Sequence, residues 1–239
     1  MELFLVEHRV FLPIFFGKLD FSISDFSLSV VFLPMILFLV MFFAMRKAQY
    51  HPKSLQNFVE LIYEKFYGIF YGYLHEAGKK YIPFLFSLML FIFVLNLGNL
   101  IPGVFPTTSQ PTLTFSLGIV VFVLMTIIGF VSHGLKFYHH FIPSGIPGVL
   151  KPILFVLEVF SYCIRPVSLA LRLAINMLAG HVMLHVIASF SKDLTPYSAI
   201  SIAISGVLSI FEIGVAALQA YVFAVLSCIY IADILKGHE

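Results

Sequence analysis

Apolar residues dominate this chain in long runs, and polar residues gather in short intervals between them. The first run, Leu28 to Met45, nearly matches the ~20 residues that a helix needs to cross a bilayer. A basic interval, RKAQYHPK, follows it. From Leu55 to Glu76 the pattern changes. Asn57, Glu60 and Glu64 recur at helical spacing on one face, while Phe58, Val59, Ile62, Phe66, Ile69 and Phe70 fill much of the rest. That is the signature of an amphipathic helix lying in the membrane interface. Two further runs, 81–102 and 113–132, predict a transmembrane hairpin around the uncharged, turn-rich loop VFPTTSQPT.

The last ninety residues pose a problem of length. From 148 to 190 only Pro152 and Pro166 could interrupt a helix, and 195–236 is similar. A helix of the first length would span ~65 Å at about 1.5 Å per residue, twice the ~30 Å hydrocarbon core. The two segments therefore predict a pair of long helices, strongly tilted or near-horizontal, with a kink at Pro166 and a turn at SKDLTPYS (Ser191 to Ser198). The expected fold class is an all-α integral membrane protein forming a single membrane domain.

Composition agrees. The chain of 239 residues is 60% hydrophobic and 11% charged, against the roughly 25% charged residues of a soluble domain. A formal charge of +2 implies no nucleic-acid surface. Cys163 and Cys228 sit in apolar runs and read as packing residues. The first twenty residues lack a basic stretch followed by a small-residue cleavage site, so no signal peptide is expected. With the amino terminus outside, Arg46, Lys47, Lys53, Lys65, Lys79, Lys80, Lys136, Lys151 and Lys236 fall inside. Arg9, Lys18 and Lys192 then fall outside, which satisfies the positive-inside rule.

Against this apolar background Glu158, Arg172 and Glu212 stand out. Each costs about 2.5–3.5 kcal/mol at a helix centre by insertion scales, so each must be paired, wetted or useful. Arginine is the informative choice, because it does not discharge to escape the membrane. On a helical wheel Arg172 and Asn176 lie within about 40° of each other, while His181 and His185 share a face roughly opposite Arg172. Ser205, Glu212, Gln219 and Tyr230 form a polar stripe on the second long helix. Arg165, beside Pro166, reads as a side chain that snorkels to the headgroups. The two histidines with Glu212 suggest a proton relay. Their spacing of four could also suit a metal ion, but no nearby Glu, Asp or Cys completes a site, and neither metal nor cofactor is expected.

RPVSLALRLAINMLAGH together with FEIGVAALQAYVFAVLSCIYIADI resembles subunit a of the rotary F-type ATP synthase. The layout beyond about Ser24 is similar as well, while the first ~25 residues match nothing in the family. The resemblance implies that Arg172 is the fixed charge facing a ring of c subunits, with Asn176 and Gln219 as polar neighbours. It assigns His181, His185 and Glu212 to an outer aqueous half-channel and Glu158 to an inner one. The His-then-Glu order at 181 and 212 resembles the mitochondrial pattern, so a mitochondrial inner membrane is expected, with a bacterial plasma membrane as the alternative. Other membrane and peripheral-stalk subunits and membrane lipid would be partners. There would be no catalytic centre in the chain itself. A self-contained proton-coupled transporter is the alternative function, although no internal repeat supports it.

Overall fold

The computed structural model describes residues 10–12, 15–16, 19–20, 23–46, 54–101, 106–134, 137, 150–189 and 196–236. Six α-helices account for most of them: α1 (Asp25–Met45), α2 (Ser54–Gly78), α3 (Ile82–Gly98), α4 (Pro111–His133), α5 (Lys151–Ser189) and α6 (Pro196–Lys236). The fold is an all-α membrane protein, with five helical stretches long and apolar enough to cross a bilayer. Near the amino terminus Val10–Leu12 pairs antiparallel with Ile23–Ser24, and Phe15–Phe16 pairs with Leu19–Asp20. These short pairings, not foreseen from the sequence, are the only strands among the described residues.

The second spanning stretch runs through α2, a 3₁₀ turn (Lys79–Tyr81) and α3 as one length of 45 residues. Inside it His75 departs from helical backbone, at φ 51° and ψ −156°. A non-glycine residue at positive φ is strained, and here it marks the joint between the amphipathic and the uniformly apolar halves. The polar face of α2 is internally braced: Gln56 Nε2 donates to Glu60 Oε1 at 2.8 Å, and Tyr71 Oη donates to Glu76 Oε1 at 2.7 Å.

α6 is the hub, packing against α2, α3, α4 and α5. Its small side chains Ala216, Ala220, Ala224 and Cys228 are fully or almost fully buried at intervals of four. Small residues at helical spacing let neighbouring backbones approach, which matters where lipid supplies no hydrophobic drive between helices. Ile82, Leu85, Ile92 and Leu95 of α3, Met125 of α4 and Leu169 and Leu173 of α5 complete the core around it. Polar ties supplement the packing. Asn96 Nδ2 of α3 donates to the Ala216 carbonyl at 3.3 Å. Asn99 accepts from the Thr107 backbone at 3.0 Å and donates to Thr108, fixing the loop that leads into α4.

α5 and α6 contain 39 and 41 residues, so each is roughly 60 Å long. α5 stays helical through Pro166, where the sequence had suggested a kink or joint. α4 packs closely against α5 at this point. A Cβ added at Gly118 of α4 would stand 2.9 Å from the Pro166 carbonyl oxygen and 3.2 Å from Ala170 Cβ. Gly118→Val is therefore expected to destabilise the protein by about 1–3 kcal/mol through overpacking, seen as a lower thermal midpoint in detergent. Gly206→Ala, which meets nothing within 4 Å, should leave that midpoint unchanged or slightly raised.

The expected turn at 191–198 lies largely outside the described residues. So do Arg9, Lys18, Lys47, Lys53, Lys136 and Lys192 of the charge pattern.

Candidate functional site

The site is built along the antiparallel pairing of α5 and α6. As numbers fall along α5 they rise along α6: Gly180 meets Glu212, Asn176 meets Gln219, and Arg165 meets Asp233. α5 buries the stripe Tyr162, Pro166, Leu169, Ala170, Leu173, Ala174 and Met177. That stripe leaves Arg172 outside the packed interface. Arg172 is exposed between Leu171 and Ile175, themselves exposed at 41% and 58%. Among the described residues the one ion pair joins Arg165 to Asp233, so Arg172 has no acidic partner there.

One turn beyond Arg172, Asn176 Nδ2 donates to Gln219 Oε1 at 2.9 Å. The Nε2 of Gln219 is buried without a partner among the described residues. The two amides expected beside the arginine are thus brought together across the helix pair, and one amide nitrogen keeps unused donor capacity.

Glu212 lies two turns from Gln219 on α6, against Gly180, which is one turn beyond Asn176 on α5. It is 9% exposed, and its Oε2 has no hydrogen-bond partner among the described residues. Glycine at 180 makes room for it, since an added Cβ there would stand 2.5 Å from Glu212 Oε1. Asn176, Gly180, Met183, Leu184, Leu208 and Glu212 help to line a cavity of about 300 Å³. A buried carboxyl with a free oxygen at the edge of such a space can take up and release a proton from water admitted there.

His181 and His185 form a separate unit. Their Nε2 atoms lie 3.1 Å apart with the rings edge to face, so one nitrogen must carry a proton and the other accept it. Glu212 is hydrogen-bonded to neither histidine among the described residues. The three residues expected to act as one relay therefore fall into two clusters. Glu158 is half-buried on α5, two turns before Arg165. Of the expected stripe on α6, Glu212 and Gln219 turn into the interface with α5. Ser205 is satisfied by the Ser201 carbonyl at 2.9 Å, and Tyr230 lies under Arg165. Arg165 does not snorkel freely: its Nη1 donates to Asp233 Oδ2 at 3.3 Å. No group of three or more His, Cys, Asp or Glu side chains able to hold a metal occurs among the described residues.

Residues 27–232 match a family model described as ATP synthase A chain. The ATP synthase subunit a of Ehrlichia canis (strain Jake) is 41% identical over 225 residues, covering 92% of this chain and 90% of that relative. The ATP synthase subunit a of Ehrlichia ruminantium (strain Welgevonden) is 37% identical over 223 residues, covering 93% and 92%. Both relatives are bacterial, which favours a bacterial plasma membrane over the mitochondrial membrane that the His181 and Glu212 pattern had suggested.

Proposed function

This chain belongs to the ATP synthase A chain family, and from that membership we propose that it is the proton-conducting stator beside a rotating ring of c subunits. It is a multi-span membrane component of the F-type ATP synthase, not a catalytic subunit. Its partners are other subunits of that complex. We place it in the bacterial plasma membrane with its amino terminus outside.

The observation that carries the reading is Arg172: a permanent cation, exposed on an apolar helix, with no acid beside it among the described residues. A group this costly in lipid needs a partner, and a carboxylate on a neighbouring subunit supplies one. The ring carboxylate can travel against lipid only when protonated, because the bare anion is prohibitively expensive there. Beside Arg172 the anion is favoured, so the proton leaves. A protonated site therefore does not slide past Arg172, and the two sides of the membrane are not short-circuited.

Asn176 and Gln219 hold the helix pair in register one turn from that charge. In this reading the His181–His185 pair and the cavity at Glu212 supply the outer half-channel, and Glu158 serves the inner one. The length of α5 and α6 suits two helices lying strongly tilted along a cylinder. Each proton moving through 100 mV yields about 2.3 kcal/mol for rotation.

Purification of the chain in mild detergent is the simplest test of the class. A ring of small membrane subunits carrying a central carboxylate, with a soluble ATPase sector, is expected to accompany it. Recovery of the chain alone, still active in proton-coupled transport, would favour a self-contained transporter instead.

A further inference from the structure

The proposed path makes no use of Arg165. It stands seven residues after Glu158 and seven before Arg172, about 10.5 Å along the axis each way, so the three charges share one face of α5. Its guanidinium is engaged from α6. Nη1 lies 3.3 Å from Asp233 Oδ2, and the carbon between the guanidinium nitrogens lies 5.3 Å from the centre of the Tyr230 ring. The two side chains of the pair are 26% and 49% exposed, so the pair sits at the surface of the helix hairpin. Among the described residues, the titratable groups near the pair include Tyr162 on α5 and His133 of α4, with Glu158 two turns back along α5. His133 binds the Ile234 carbonyl at 2.8 Å, next to Asp233.

A free guanidinium two turns from Arg172 would be a second permanent cation on the face past which the ring carboxylate moves. An anion settled against it would resist protonation from the inner side. Asp233 and the Tyr230 ring hold Arg165 from one side and compensate its charge. On the premise of the proposed function, we propose that Asp233 is a positioning residue: it occupies Arg165 so that Arg172 alone engages the ring carboxylate.

The test uses the whole complex in inverted membrane vesicles, whose outer medium bathes the inner face of the protein. ATP-driven proton pumping is measured per assembled complex as the pH of the medium is varied. Asp233→Asn is expected to lower pumping about fivefold near neutral pH and to move the half-maximal pH roughly one unit toward acid. The double variant R165Q/D233N, which has no unpaired charge, should recover both the rate, to within about twofold, and the original pH profile.

An unchanged rate and profile in Asp233→Asn overturns the inference. So does a double variant as slow as the single one, because Asp233 would then act on its own account. A change confined to the amount of assembled complex overturns it too, since that is the mark of a structural clamp. Should Asp233→Asn assemble too poorly to assay, the double variant decides, and its loss of pumping is the overturning result. Arg172→Lys in the same vesicles separates the two levels. If it still pumps, the proposed function fails; if it is inactive while Asp233→Asn is normal, only the role of Asp233 fails.

Discussion

Arg172→Lys is expected to lower proton-driven ATP synthesis about a hundredfold or more per assembled complex, with the amount of complex unchanged. The second half of that expectation comes from the fold. Arg172 lies outside the buried stripe of α5 and makes no ion pair among the described residues, so its replacement removes no packing that holds the helices together. The first half comes from chemistry. Lysine has nearly the same reach and the same formal charge, but it can be neutralised when water is withdrawn, whereas arginine stays charged. A lysine that hands its proton to the ring carboxylate no longer favours the anion, and the obligation to release the proton at that point is lost. ATP synthesis under an imposed proton gradient, normalised to complex assembled in the membrane, measures the effect. Normal synthesis by the lysine variant would remove the basis for a fixed charge.

Glu212→Gln is the second large effect. The substitution keeps the shape of a side chain that is 9% exposed and packed against Gly180, so assembly should persist. What it removes is a group that can gain and lose a proton at the edge of the cavity. General acid–base groups in such positions contribute factors of about 10²–10⁴, and synthesis is expected to slow roughly a hundredfold at ordinary outer pH. The measurement is the synthesis rate against outer proton concentration at fixed membrane potential. A variant that fails chiefly because the complex falls apart would make Glu212 a packing residue and leave the cavity without a role in proton entry.

The helices were legible in the sequence because lipid is an unforgiving solvent. Runs such as Leu28 to Met45 have few alternatives, and the excess length of the last two segments follows from counting residues. The angular placement of side chains about α5 was legible too. Arg172 and Asn176 fall on adjoining positions, and His181 and His185 pair one turn apart.

The sliding position of one helix along the other was not legible. A wheel gives the direction of a side chain about its own axis and nothing about how far the partner helix is displaced. That displacement sets Glu212 against Gly180. It also gives Arg165 a partner 68 residues away in Asp233, which sequence spacing alone had no means to find. The glycine in LAGH was the available signal for the Glu212 contact, since a glycine inside a helix often marks a close approach. The short strands near the amino terminus left no periodicity long enough to read. The relatives favour the bacterial membrane, a choice that was not legible in the sequence for a different reason. Histidine and glutamate can exchange protons in either order, so their order says little about the compartment.

In the proposed function Arg172 separates two proton paths that would otherwise join through the ring. Passive proton flux reports on that separation. Complexes with Arg172→Ala and with the native arginine are reconstituted in vesicles without nucleotide, and proton entry is followed after a potential is imposed. A tight membrane is expected for the native complex and a steady leak for the alanine variant, because protonated carboxylates then pass the stator unchecked. An alanine variant as tight as the native complex would contradict it.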